Sequence, residues 1–66
     1  METNSRKLLR KLRDDGWEVA RIRGDHHTLK HTDHVGLITL PHPKKDLPTG
    51  LVRRIYGIAG RDPKSK

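Results

Sequence analysis

The chain lacks cysteine and phenylalanine, and it has one tryptophan and one tyrosine among its 66 residues. The absence of cysteine excludes disulfides and zinc–thiolate sites and favours a reducing compartment, so we expect a cytoplasmic protein. No apolar run is long enough to span a membrane or to form the core of a signal peptide. Hydrophobic residues make up only 30% of the sequence, so residues 1–66 are expected to form a single small domain with a thin core.

Positive charge is in excess: the chain has 15 Lys+Arg against 8 Asp+Glu, a formal net charge of +7 at pH 7. Such a charge favours a polyanionic partner, first a nucleic acid and then an acidic protein. A membrane surface is not favoured, because no basic helix carries a large aromatic face. The simpler interpretation is that excess lysine only keeps a small protein soluble. Residues 61–66 are expected to be a flexible basic tail.

A helix is predicted near each end of the sequence. Leucines at spacings i, i+1 and i+4 indicate the first helix, which is expected to begin near Arg6 and to stop at Gly16. The second helix is expected to be capped by Asp46 or Thr49 and to end at Gly60. Its apolar face consists of Leu51, Val52, Ile55, Ile58 and Ala59.

The middle of the chain predicts three strands, at residues 17–23, 26–31 and 35–40, because β-branched and alternating segments are separated by short turns. Tight turns between consecutive strands produce an antiparallel meander. The order is therefore α-β-β-β-α. We expect an α+β fold in which two helices cover one face of a three-stranded antiparallel sheet and leave the other face open.

Strand alternation assigns side chains to the two faces of this sheet. In the first strand, Arg21 is expected on the same face as Trp17 and Val19, and Ile22 on the opposite face. Trp17 is expected in the core. In the second strand one face carries His26, Thr28 and Lys30, and the other carries His27, Leu29 and His31.

Histidine is the residue type most able to do chemistry here, with five in the chain. A metal site is not favoured, since His27 and His31 on one strand stand too far apart to share an ion easily. No cysteine or well-placed carboxylate completes a ligand shell, so we expect no metal and no cofactor.

Acid–base catalysis on RNA fits the histidines better. RNA supplies its own nucleophile, the 2′-hydroxyl, so a protein needs only a base, a proton donor and positive charge. His26 is the candidate catalytic residue because it follows the flexible Gly24 turn and shares its face with Lys30. Lys30 is the candidate for stabilising the reacting phosphate, with Lys44 and Lys45 in support. Gly24 and His27 are further candidate RNA contacts. The plainer interpretation is that His26 and His27 only contact phosphate or solvent.

Two segments resemble the HicA toxins, small ribonucleases of bacterial and archaeal toxin–antitoxin pairs. One runs from Arg23-Gly24-Asp25 through the paired histidines to His31, and the other is the His-Pro-Lys-Lys-Asp-Leu segment at residues 42–47. The first is preceded by Asp15-Gly16-Trp17, and the likeness covers about residues 5–60. It implies a fold like the double-stranded-RNA-binding domain, cleavage of mRNA that halts translation, and a HicB-like antitoxin that covers the active site.

The resemblance also implies that His26 is the catalytic histidine, because it takes the place of the first histidine in the family's Gly-Ser-His-His motif. This sequence has Asp25 where the family usually has serine, and a carboxylate there either repels phosphate or orients the imidazole. The sequence therefore predicts a HicA-like, metal-independent endoribonuclease. Two alternatives remain open: a non-catalytic RNA-binding module of the same fold, and a degenerate toxin that only binds an antitoxin.

Overall fold

A computed structural model of the chain describes residues 1–60, so the predicted tail at residues 61–66 lies outside the described residues. Five elements follow one another: α1 (Ser5–Asp14), β1 (Glu18–Arg23), β2 (His26–His31), β3 (His34–Pro41) and α2 (Thr49–Ala59). The strands form one antiparallel sheet in the order β1-β2-β3. The predicted α+β architecture is confirmed. No helix within residues 1–60 is long and apolar enough to cross a membrane.

The core lies between the two helices and one face of the sheet, which we call the helix face. Its buried hydrophobic residues are Leu8, Leu12, Trp17, Leu29, Ile38, Leu40, Leu47, Val52, Ile55 and Tyr56. The hydroxyl of Tyr56 accepts a hydrogen bond of 2.9 Å from the backbone N–H of Glu2, which ties the start of the chain to α2. The core position predicted for Trp17 is confirmed, since its side chain is 2% exposed.

The two helices begin in different ways. Asn4 caps α1 through its side-chain oxygen, which accepts a hydrogen bond of 3.2 Å from the N–H of Lys7. The side-chain cap predicted for α2 is wrong, because Pro48 holds the N-cap position without a side-chain hydrogen bond. Just before it, the N–H of Leu47 donates to the carbonyl of Thr3 at 2.7 Å. This hydrogen bond to Thr3 therefore fixes the path of the backbone into α2.

A β-bulge in β1 overturns part of the predicted face assignment. Val19 pairs with Leu29, but the register then shifts, so that Arg21 pairs with Thr28 and Ile22 with His27. The extra residue reverses the alternation after Ala20. The expectation that Arg21 shares a face with Val19 is therefore wrong. Arg21 lies on the open face, and Ile22 lies on the helix face with Val19.

The turn from α1 into β1 depends on Gly16. Its φ of +99° lies in the region that side chains disfavour, and a Cβ built there would stand 2.8 Å from Nε2 of His31. The His31 ring lies against Trp17, with ring centroids 5.3 Å apart, and His34 stacks on the same tryptophan at 5.1 Å. Glycine thus gives both the backbone angle and the room that this aromatic cluster needs.

Candidate functional site

The open face of the sheet carries a row of polar and basic side chains at the end of the sheet next to the β1–β2 turn. Antiparallel pairing places Arg23 directly opposite His26, and His26 opposite Pro41 on the other side. Arg21 and Thr28 form the next pair along. Directly paired residues have Cβ atoms about 4.5–5.5 Å apart. The open face therefore brings His26 together with two arginines.

His26 is free to meet a ligand, since its side chain is 58% exposed. Its Nδ1 lies 3.6 Å from Oδ1 of Asp25, which is itself 72% exposed. This distance is longer than a hydrogen bond, so the two groups attract each other only through solvent. With the carboxylate on the Nδ1 side, Nε2 is the ring nitrogen left to face a substrate.

Gly24 and Lys30, two of the predicted RNA contacts, lie in different parts of the site. Gly24 takes a φ of +61° in the β1–β2 turn, and a Cβ at this position would meet no atom within 4 Å, so the backbone there is open to a ligand. Lys30 shares the open face with His26, but it lies four residues further along β2 and pairs with Glu18. Four residues of strand span roughly 13 Å. A single phosphate at His26 is therefore nearer to Arg23 than to Lys30.

The adjacent histidines His26 and His27 separate onto opposite faces. His27 pairs with Ile22 and Leu40 on the helix face and is half-buried. Its Nδ1 is a buried atom without a hydrogen-bond partner in the described part of the chain. The ring meets that of His42 edge-on, with centroids 5.0 Å apart. His27 therefore lies behind the open face and does not share a phosphate there with His26.

His42 joins three separate segments at this end of the sheet. Its N–H donates to the carbonyl of Asp25 at 2.6 Å, and its Nδ1 is hydrogen-bonded to the hydroxyl of Ser5 at 2.8 Å. That hydroxyl also accepts a hydrogen bond of 2.7 Å from the N–H of Lys44. Burial lowers the pKa of His42, and the neighbouring His27 and Arg6 lower it further. The imidazole is therefore neutral at physiological pH, and His42 holds the β1–β2 turn, the start of α1 and the loop after β3 together.

Lys44 and Lys45 lie at the same end of the sheet as His26, in the loop that follows β3. They border an open groove of about 400 Å³ together with Ser5, Arg6, Lys7 and His42. Lys44 is anchored because its carbonyl accepts a hydrogen bond of 2.9 Å from the N–H of Ser5. The two lysines extend the positive surface from the open face towards the start of α1.

His31 has a structural role in the turn. The N–H of Asp33 donates to its Nδ1 at 2.9 Å, so Nε2 carries the proton and donates to the carbonyl of Asp15 at 2.8 Å. Both ring nitrogens are thereby used within the fold. Within residues 1–60, no group of three or more His, Cys, Asp or Glu side chains is placed to hold a metal ion.

Sequence reasoning missed Arg21 and Arg23 as functional candidates, together with the Ser5–His42 link. The arginines were missed because simple alternation does not anticipate a bulge. A signal was present, however: the apolar residues Val19 and Ile22 are three apart, whereas a regular strand with one buried face spaces them by two. The link from Ser5 to His42 spans 37 residues, and no local pattern indicates it.

These features define a class of protein: a small, basic α+β domain that presents a histidine and arginines on an open antiparallel sheet. The family described as "HicA toxin of bacterial toxin-antitoxin" matches residues 5–60, and the chain belongs to this family. Its structure is similar to a chain from a solved "HicA3 and HicB3 toxin-antitoxin complex". The TM-score is 0.75 and the identity 37%, over 88% of this chain and 94% of that one. Comparison with curated proteins gave no match.

Proposed function

We propose that the protein is a metal-independent endoribonuclease that cleaves mRNA, arrests translation and is neutralised by a HicB-like antitoxin. The observation that carries the proposal is the exposed His26 placed directly opposite Arg23 on the open face. A base beside a fixed positive charge is what cleavage by the 2′-hydroxyl of RNA requires. Membership of the HicA family supports the toxin role.

In the proposed reaction, Nε2 of His26 takes the proton from the 2′-hydroxyl next to the scissile phosphate. The 2′-oxygen forms a bond to phosphorus while the bond from phosphorus to the 5′-oxygen breaks. A proton from water or from a nearby cationic side chain neutralises the departing 5′-oxygen. Arg23 stabilises the negative charge that develops on the phosphoryl oxygens, because its guanidinium donates several hydrogen bonds in a fixed geometry.

The remaining predicted RNA contacts extend the binding surface beyond the reacting phosphate. Lys30 is proposed to meet a phosphate further along β2, and Lys44 and Lys45 one beyond the end of the sheet. Gly24 allows the RNA backbone to approach the turn closely. For His27 we propose a supporting role behind the open face, against His42.

The antitoxin part of the proposal has separate support. The solved structure that this chain is similar to is a complex of HicA3 with HicB3. The formal net charge of +7 at pH 7 suits an acidic protein as well as RNA. The alternative function, an RNA-binding or antitoxin-binding domain without catalysis, is favoured by Asp25, whose exposed carboxylate lies beside the position proposed for the phosphate.

The test is cleavage of a labelled single-stranded RNA in excess EDTA by the natural chain and by His26→Gln. Arg23→Gln is measured beside them, with Arg53→Gln as its control because Arg53 is exposed on α2. We expect cleavage by the natural chain and by Arg53→Gln and none by His26→Gln. Arg23→Gln should cleave roughly tenfold or more slowly, since a hydrogen bond to a charged group contributes about 1.5–3 kcal/mol.

Other outcomes separate the alternatives. Cleavage by His26→Gln at the natural rate would remove His26 from the mechanism. RNA binding without cleavage by the natural chain would establish the binding module. A chain that neither cleaves nor binds RNA, yet binds an antitoxin, would be the degenerate toxin.

A further inference from the structure

The helix face of the sheet is only partly covered. Both helices contact β3, at the far side of the sheet from β1. Ile22 on β1 points to the helix face and is still 60% exposed. Beside it an open groove of about 680 Å³ runs between α1 and β1, lined by Leu9, Arg13, Trp17, Val19, Ile22 and His27. We call it the α1–β1 groove.

The apolar part of the α1–β1 groove, which we call its floor, includes Leu9, Val19 and Ile22. Leu9 and Val19 are half-buried and pack against the core, and Ile22 extends this surface into solvent. Water next to such a continuous apolar strip is displaced favourably by apolar groups of a ligand.

The rim of the groove on the α1 side is cationic. Arg6, Arg10 and Arg13 follow one another at i, i+4 and i+7, which places them on one side of the helix. With Leu9 and Asp14 they line a second depression of about 440 Å³ that shares Leu9 and Arg13 with the groove. None of the three arginines forms an ion pair with another residue of the 1–60 region.

The apolar floor and the cationic rim together determine which class of ligand fits the groove. Two carboxylates also border the area, Asp14 beside the arginines and Glu18 on β1, so the three arginines still leave a net positive rim. RNA would satisfy the arginines but would place its charged backbone against Leu9, Val19 and Ile22. A polypeptide that carries both acidic and apolar side chains satisfies both parts of the surface.

We infer that the α1–β1 groove docks an acidic segment of a protein partner, with apolar side chains of that segment seated on Ile22 and Leu9. The inference rests on the proposed function for the identity of the partner, which is the antitoxin. Such a segment lies against the ring of His27, the residue that follows His26 in β2. Docking therefore places the partner on the helix face, close to the β1–β2 turn that precedes His26, whereas RNA approaches from the open face.

The experiment is selection of a displayed library of random short peptides on the immobilised natural chain, with Ile22→Asp as the counter-target. Peptides that are enriched are synthesised and titrated against the natural chain, Ile22→Asp and Arg10→Gln. Leu37→Asp is the matched control, because Leu37 is an exposed apolar strand residue of nearly the same exposure, 58% against 60% for Ile22, on β3 at the other side of the sheet. Circular dichroism confirms that each variant is folded.

We expect enriched peptides that combine Asp or Glu with large apolar residues. Their affinity should fall about tenfold or more in Ile22→Asp, because an apolar side chain placed against a carboxylate loses the favourable free energy of burying apolar surface. It should fall severalfold in Arg10→Gln and should not change in Leu37→Asp. Added salt should weaken binding to the natural chain more than binding to Arg10→Gln.

Three results would overturn the inference: no enrichment that depends on Ile22, enriched peptides without acidic residues, or equal loss of affinity in Leu37→Asp. A severalfold loss of single-stranded RNA affinity in Ile22→Asp would assign the groove to RNA instead. Cleavage of RNA is recorded with the same proteins. Failure of the natural chain to cleave would count against the nuclease proposal alone, because the peptide titrations do not depend on it.

Discussion

Replacing Gly16 with alanine tests whether the aromatic cluster really leaves no space at the turn into β1. At this position φ is +99°, and a Cβ would stand 2.8 Å from Nε2 of His31. Two penalties therefore act together. The backbone angle costs a residue with a side chain about 1–2 kcal/mol. Displacing His31 strains its hydrogen bond to the carbonyl of Asp15, which contributes roughly 1 kcal/mol.

The sum for Gly16→Ala is about 2–3 kcal/mol, a large share of the roughly 3–10 kcal/mol that holds a domain of this size. For small domains this corresponds to a lower thermal midpoint by about 10–20 °C. Gly24→Ala isolates the backbone penalty, because its φ is +61° and nothing lies within 4 Å of a Cβ there. We expect Gly24→Ala to lower the midpoint by about 4–16 °C, which is less than the change in Gly16→Ala.

Circular dichroism during heating gives the thermal midpoints of the natural chain, Gly16→Ala and Gly24→Ala. Gly57→Ala is a control in which the midpoint should rise. Gly57 lies in α2 at an exposed position with free space around its Cβ direction. Alanine there should stabilise the protein by about 0.5–1 kcal/mol. Equal midpoints for Gly16→Ala and Gly24→Ala would refute the clash with His31. A Gly16→Ala protein as stable as the natural chain would refute the whole account of the turn.

Three further predictions concern charge, protonation and the start of the chain. Because burial lowers the pKa of His42 below its ordinary 6.5, the unfolded chain takes up a proton first as the pH falls. Stability should therefore decline from pH 6.5 down to the lowered pKa and then level off, and His42→Asn should reduce this slope in thermal midpoints measured against pH. Asp25→Ser removes a charge beside His26, so RNA affinity should rise about two- to fivefold at low salt, and the gain should vanish at high salt in a binding titration. Tyr56→Phe removes the acceptor for the Glu2 N–H and should lower stability by about 0.5–1.5 kcal/mol in urea unfolding, with an unchanged m-value if the native state stays compact.

Periodicity predicted the elements well, because each is built from a local pattern that matches its final environment. The predicted range of the second strand, residues 26–31, coincides with β2, and the stripe that begins at Leu51 and Val52 supplies the face of α2 that packs on the sheet. The cap of α2 was wrong because a distant contact, from Leu47 to Thr3, replaced the local side-chain bond.

The candidate site was predictable only where it depends on alternation within one strand. His26 and Lys30 share the open face as expected, and His27 lies on the other face. Their neighbours on β1 depend on the bulge at Ala20, which determines whether Arg21 lies on the open face or on the helix face. Pairing across strands, not spacing along one strand, determines that His26 stands next to Arg23.

The Ser5–His42 link has a consequence for the order in which a nascent chain can acquire its structure. The helix α1 is synthesised first, yet at ten residues it is too short to be stable alone. The groups that hold its start, His42 and the backbone of Lys44, emerge from the ribosome only after the whole sheet. Because the N–H of His42 also donates to the carbonyl of Asp25, the turn that precedes His26 is held in place equally late. We therefore expect a ribosome-bound chain that ends before residue 42 to lack the complete site, so that a partner that recognises the folded surface binds only chains in which His42 has emerged.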